Sequence, residues 1–321
     1  MKHIFIINPM AMNGQVSRKI RKKLEEIKAK TGFDYLVFDS EYQGHEKVLA
    51  ERICTIFSDE PLRFYACGGS GTFQRMLSGI TNLTLSEAAC CPLGLTNDFI
   101  KCFGADSYPK FMDIEKLISG SSVPMDIIEL NGEARAVNTL SIGFESCFKT
   151  FSFFQDLSMI NKNLPYTLMP AIVILKDTSL DYLIDIDGQR YDGKYVLLHF
   201  ANGICFGSNM YPLSYAVPDD GRLEIMLFKA NTRMTTLRSL KDFAHGNTEK
   251  IGDKAIITDG SQIHIKRADG KPIIANIDGE AIEYKDIKAT LLHKKLNFIV
   301  PDGVSLCRTQ HNEHTEAEHE Q

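Results

Sequence analysis

The sequence predicts an α/β fold class with added β: an N-terminal doubly wound parallel α/β domain followed by a C-terminal antiparallel β-sandwich domain. Short apolar runs alternate with helical patterns up to Pro124, the order expected of a parallel sheet wound on both faces. Two glycine turns, Cys67-Gly68-Gly69-Ser70-Gly71-Thr72 and Pro92-Leu93-Gly94-Leu95-Thr96-Asn97-Asp98, each stand between an apolar run and a helical one. Beyond Pro124 the texture changes to many short strands separated by Asn-Gly and Asp-Gly turns, the pattern of a sandwich.

Strands are expected at 4–7, 35–38, 63–67 and 88–92, and helices at 17–31, 46–58 and 72–80. In the helix over 17–31, Ile20, Leu24 and Ile27 recur at helical spacing among Arg18, Lys19, Arg21, Lys22, Lys23, Lys28 and Lys30. That is an amphipathic helix with a basic face. The face is either solvated surface or a patch for anionic headgroups or nucleotide phosphate. In the second part, 126–130 and 134–141 flank Asn131-Gly132, a hairpin signal. Strands at 182–186 and 195–202 flank a turn near Asp187-Gly188. Further strands are expected at 223–228, 255–258, 262–267, 273–277 and 287–292, with helices near 158–176 and 235–245. The run 297–300 is expected to return to the first domain. The resulting division is 1–124 with 296–308 returning to it, 125–295, and a disordered tail at 309–321.

Composition bounds the reading. A chain of 321 residues is longer than a usual single core. Apolar content of 44% and charged content of 24% are ordinary for a globular protein. The net charge of −5 argues against a dedicated nucleic-acid binder. No apolar run approaches the ~20 residues of a membrane span. The eight cysteines form no CxxC pair and mostly sit in apolar runs, which points to reduced thiols in a reducing cytoplasm rather than a zinc site.

Strand, glycine turn, helix is how a backbone makes room for phosphate: glycine lets the main chain approach, and the first helical N–H groups point at the anion. Asn8-Pro9 ends the first strand at the same sheet edge, where ligands of doubly wound sheets bind. Nucleotide phosphate is therefore the leading ligand. Phe144, Phe148, Phe151, Phe153 and Phe154 cluster ahead of the helix expected near 158–176. They are either core or the wall of a lipid-facing cleft.

Six segments together resemble the diacylglycerol kinase catalytic-domain family, which includes bacterial lipid kinases and sphingosine kinases and is distantly related to NAD kinases. They are Asn8-Pro9-Met10-Ala11-Met12-Asn13-Gly14, Gly68 to Thr72, Pro92 to Phe99, Asn202-Gly203, Asp219-Asp220-Gly221-Arg222-Leu223 and Asp278-Gly279-Glu280. The resemblance spans nearly the whole chain. It implies ATP and magnesium as cofactors and phosphoryl transfer from ATP to a lipid hydroxyl such as that of diacylglycerol, in a site between the domains. It assigns nucleotide binding to Asn8, Gly68, Gly69, Ser70, Gly71, Thr72, Gly94, Thr96 and Asn97, with the two asparagines fixing loops or touching nucleotide. It gives Asp98 a magnesium, and Asp219 and Asp220 a structural one or a plain turn. It makes Glu280, supported by Asp278, the general base, whereas Asp278-Gly279 read without the resemblance is a hairpin turn signal. Asp98 has the further reading of a helix N-cap. The partners it implies are nucleotide and lipid, with peripheral membrane contact and a homodimer as further expectations.

Three positions depart from the family pattern. Ser70 stands where the family has aspartate, Leu95 where it has threonine, and Gln15 where a basic residue is common. Ser70 argues against NAD kinase chemistry, in which that aspartate is the presumed base. One lost electrostatic group commonly costs ~10²–10³ in rate. The rivals to a lipid kinase are thus a pseudokinase that binds nucleotide or lipid without transfer, and a kinase for a soluble polyol or nucleotide-like acceptor.

Overall fold

The computed structural model describes residues 1–10, 16–93, 97–104, 106–143, 179–207 and 209–307. The first part is the expected parallel α/β region. Strands β1 (Lys2–Ile7), β2 (Tyr35–Asp39), β3 (Leu62–Gly68) and β4 (Ser86–Pro92) lie in the order β4-β3-β1-β2, all parallel. Ile4, Phe5, Ile6 and Ile7 are all buried, because strands covered on both faces carry continuous apolar runs instead of alternation. The helices are α1 (Val16–Thr31), α2 (His45–Ile56) and α3 (Ser70–Gly79). Ile20, Leu24 and Ile27 seat α1 on the sheet. Its Arg21 pairs with Asp39 at 2.6 Å, Lys23 with Glu115 at 3.3 Å and Lys28 with Asp34 at 3.5 Å, so acids neutralise part of the basic face. Helices α2 and α3 touch so closely that a Cβ on Gly79 would collide with the Lys47 carbonyl.

After β4 come a short 3-10 turn at Phe99–Phe103 and helices α4 (Tyr108–Met112) and α5 (Ile114–Ser119). The helical run expected after the second glycine turn is this single 3-10 turn; α4 and α5 were not expected, because pieces this short show no period. Asp113 fixes the start of α5 by accepting from the N–H groups of Glu115 and Lys116.

The second part is antiparallel, as expected. It comprises β5 (Ser121–Leu130), β6 (Ala134–Ala136), β7 (Thr139–Ile142), β8 (Leu180–Ile186), β9 (Gln189–Arg190), β10 (Gly193–Ala201), β11 (Leu223–Lys229), β12 (Ala255–Gly260), β13 (Gln262–Arg267), β14 (Ile273–Ile277), β15 (Glu280–Tyr284) and β16 (Ile287–Val300). Helices α6 (Arg233–Ala244) and α7 (Thr248–Ile251) lie between β11 and β12. Three hairpin turns, Asn131-Gly132, Asp187-Gly188 and Asp278-Gly279, carry positive φ at both residues, the requirement of the tight turn that matches strand twist.

Strand β16 joins the two parts. The runs expected at 287–292 and 297–300 are one strand with an irregularity between Leu292 and Leu296, where Lys294 has φ 51°. Its first half pairs with β13, and its second half runs parallel to β4 through Asn297 and Phe298. The Phe298 ring sits among Phe73, Phe99, Phe103 and Phe111. The run expected at 134–141 is split into β6 and β7, because the intervening amides turn to a side chain described below. Residues 11–15, Gly94, Leu95, Thr96, the phenylalanine cluster at 144–154, the helix expected near 158–176 and the tail lie outside the described residues.

Candidate active site

The C-terminal ends of β1, β3 and β4 bring three segments to one edge. The Asn8 amide donates to the Cys67 carbonyl at 3.0 Å. Asn8 Nδ2 donates to Thr72 Oγ1 at 3.3 Å, and its Oδ1 accepts from the Met10 N–H at 3.0 Å. Asn8 therefore ties the first loop to the glycine turn. Gly68 is obligatory there, since a Cβ would strike the Thr72 side chain. Gly69 caps α3 in extended conformation and has no side chain to cap it, and no acid lies in the first turn. The helix thus opens toward the edge with the partial positive charge of its leading N–H groups. Ser70 is its first residue.

Asn97 is buried, with Nδ2 against Cys90 Sγ, so it fixes the second loop to β4. Asp98 precedes the 3-10 turn but makes no side-chain cap on it, so capping is not its role. Its carboxylate lies 3.7 Å from Lys101 Nζ, which reaches Cys205 Sγ at 3.3 Å and lies over the Tyr211 ring. Burial pushes the Cys205 thiol up to about 12, helped by Asp98 and opposed by Lys101, which disfavours the thiolate.

The β14–β15 turn closes over this edge. Asp278 is buried at φ 49° and accepts the N–H groups of Val137 at 2.9 Å, Asn138 at 3.2 Å and Thr139 at 2.8 Å. These are the amides that break β6 from β7. Burial pushes the Asp278 carboxyl up to about 6; the three amides oppose the rise, and the charge of Asp98 adds to it. Asp98 and Asp278, from the two halves of the chain, therefore share one electrostatic environment.

Two residues on, Glu280 reaches the glycine turn itself. A Cβ on Gly71 would collide with Glu280 Oε1. That oxygen pairs with Arg75 Nη1 at 2.5 Å, and Oε2 accepts from Gln43 Nε2 at 3.1 Å. The other edge of Arg75 is held by the buried carboxylate of Glu46, at 2.9 and 3.1 Å. Burial pulls the Arg75 guanidinium down, but the two carboxylates outweigh it and hold it charged. Sequence reasoning missed Arg75, Gln43, Glu46 and Lys101. The spacing of Gly71 and Arg75, one helical turn apart, was an available signal. Nothing in sequence brings the start of α2 to the same place.

Asp219 and Asp220 stand apart, over Asp126. Asp220 Oδ1 accepts from the Arg222 N–H at 2.9 Å, a turn geometry. Burial and its neighbours Asp126 and Asp219 push its carboxyl above the usual range. Asp126 is wholly buried and accepts from Gly221 N–H at 2.7 Å, Lys294 N–H at 2.7 Å and His293 Nδ1 at 2.9 Å. Asn202, of the Asn202-Gly203 segment, donates to the Val137 carbonyl at 2.7 Å and so supports the same strand break. Among the described residues no group of three or more His, Cys, Asp or Glu side chains is arranged to hold a metal ion.

Comparison with known proteins agrees with this fold. A family model described as the diacylglycerol kinase catalytic domain matches residues 2–130, and one described as the YegS C-terminal NAD kinase beta sandwich-like domain matches residues 139–300. The chain belongs to the diacylglycerol kinase catalytic-domain family. Proteins of Staphylococcus aureus strains Mu3 and Newman, each named "Putative lipid kinase", are 28% identical to it over 166 residues, 51% of this chain and 53% of theirs. The chain thus spans about half the length of the curated relatives it matches. A solved structure titled "A putative diacylglycerol kinase" from Bacillus anthracis superposes with a TM-score of 0.71 at 20% identity, covering 95% of this chain and 98% of that one. A second, titled as diacylglycerol kinases of the same organism, gives 0.67 at 20% identity over 95% and 98%. At that identity the likeness is one of fold, with the parallel region first and the antiparallel strands after it. The family is lipid kinase-like, and both glycine turns and the Asp278-Gly279-Glu280 turn of this chain lie within the residues that the two family models match.

Proposed function

We propose that this diacylglycerol kinase-family chain transfers the γ-phosphoryl group of ATP to a lipid hydroxyl, such as that of diacylglycerol. The observation that carries the reading is the approach of Glu280 to Gly71: a carboxylate from the second half of the chain meets the uncapped helix start that the glycine turn creates in the first. Amides of Gly69 to Thr72 cradle the phosphates, with Thr72 adding a hydroxyl; Gly94 and Thr96 are given to nucleotide binding by the family resemblance alone. Asn8 and Asn97 hold the two loops in register. Glu280 takes the proton of the acceptor hydroxyl as its oxygen bonds to phosphorus and the bond to ADP breaks. Asp278 is a positioning residue, since its oxygens are spent on three amides.

The donor chemistry fits magnesium at Asp98. A carboxylate is a hard oxygen ligand, and this cation takes only one or two protein carboxylates beside water and phosphate. When bound it neutralises charge on the phosphates. Exposed Arg18, Lys19 and Lys22 on α1 suit contact with an anionic membrane surface. No helix among the described residues is long and apolar enough to cross a membrane, so lipid would be met at its surface. A cytoplasmic, peripherally membrane-associated place for the protein follows from this reading.

A binder without transfer is the second reading, favoured by Ser70 and by the engagement of both Glu280 oxygens. Labelled phosphate from γ-labelled ATP, followed into dispersed diacylglycerol and into a soluble polyol, separates them. The account expects lipid product from the natural protein and a loss of ~10²-fold or more in Glu280→Gln. Label appearing only in the polyol, or equal turnover by both proteins, would overturn the acceptor or the base; no turnover, with nucleotide still bound, would favour the binder.

A further inference from the structure

The position of Arg75 gives it a part in the site that the reading above does not assign. It lies four residues after Gly71, on the same helical face. Glu46 grips one edge of its guanidinium with two parallel bonds from within the protein. The remaining Nη1 lies 3.1 Å from where a Cβ on Gly71 would stand, so the positive charge is fixed against the glycine turn. Two carboxylates share this one cation. Glu46 is buried and bidentate, whereas Glu280 makes a single contact to it from a half-buried position. Glu280 is therefore the partner that an arriving anion would replace.

We propose that Arg75 is the cation that receives the terminal phosphate of a nucleoside triphosphate, and that its ion pair with Glu280 is the resting form of that contact. The inference rests on the nucleotide site argued above. A phosphate oxygen at the glycine turn offers Nη1 a more highly charged acceptor than a carboxylate does, and guanidinium geometry suits it. Arg75 need not move, because Glu46 keeps its other edge. Glu280 Oε1 is released in the exchange and turns to the acceptor hydroxyl, so the base becomes available only when the terminal phosphate is present.

The test is calorimetric titration of the full chain with ATP and with ADP, each with magnesium chloride. The proteins are the natural chain, Glu280→Gln, Arg75→Lys and the double variant, with thermal melts to verify folding. Removing the competing carboxylate in Glu280→Gln should tighten ATP about tenfold while ADP changes less than about twofold. Arg75→Lys should weaken ATP about tenfold more than ADP, and adding Glu280→Gln to it should recover little. A purely structural ion pair would move both nucleotides together or neither, and that result overturns the assignment. If Arg75→Lys fails to fold, the ATP-against-ADP comparison in Glu280→Gln decides alone. Failure of the natural chain and every folded variant to bind either nucleotide would instead refute the nucleotide reading itself, and this assignment with it.

Discussion

His199 is wholly buried on β10, edge-on to the rings of Phe206 and Phe243, and neither ring nitrogen has a hydrogen-bond partner among the described residues. Burial pulls it down to about 3, against about 6.5 in an unfolded chain. The unfolded chain therefore takes up a proton as pH falls through 6.5 while the folded one stays neutral. This contribution to stability is complete above pH 6.5 and is lost progressively toward pH 3. Asp278 and Glu224 have the opposite sign. Their carboxyls are raised to about 6 and about 7, chiefly by burial, so the folded state is favoured by their protonation and loses that advantage as pH rises through those values. His199→Phe places an apolar ring of similar size among apolar neighbours. It should gain about 2 kcal/mol over the natural protein on going from pH 8 to pH 5 in paired urea titrations. An unchanged difference between the two pH values would mean that His199 is not neutral and buried in solution.

Elements were legible where the local signal was strong. The three Asn-Gly and Asp-Gly turns were visible because only such residues accept positive φ at both central positions. The buried parallel strands were visible as apolar runs. Strand β15 was not, because Glu280, Ile282, Glu283 and Tyr284 form no distinctive run, and it is a strand by pairing with β14 from Ile277↔Glu280 to Ile273↔Tyr284. The division between β6 and β7 was hidden for a related reason. It is imposed by Asp278, about 140 residues away, which draws the amides of Val137, Asn138 and Thr139 out of the ladder. Asp278→Asn tests that cause. An amide oxygen can still serve Asn138 and Thr139, but its NH₂ would face the Val137 N–H. A loss of about 1–3 kcal/mol in urea denaturation is expected for leaving that donor unpaired. An unchanged midpoint would show that the carboxylate does not hold the break.

At the scale of the molecule, one strand and one turn join the halves. Strand β16 belongs to both the parallel and the antiparallel regions, and the β14–β15 turn delivers Glu280 to Gly71. Contacts along the seam support this placement: Arg135 N–H donates to Ser78 Oγ at 2.9 Å, Arg135 Nη1 to the Ile80 carbonyl at 2.6 Å, and Lys47 Nζ to the Glu133 carbonyl at 2.9 Å. The glycine turns and the Asp278-Gly279-Glu280 turn could be read from sequence because each is a local motif. The clamp of Gln43 and Arg75 on Glu280, with Glu46 holding Arg75 from behind, could not, because it exists only when the start of α2, α3 and β15 meet. Amide hydrogen exchange of the full chain, with and without ATP and magnesium chloride, tests the central claim most directly. The account predicts that ATP slows exchange at residues 69–73, where the leading amides of α3 meet phosphate, and changes it at 278–281, where Glu280 is released. Saturable ATP binding with no change at 69–73 would place the nucleotide elsewhere and contradict the site described here.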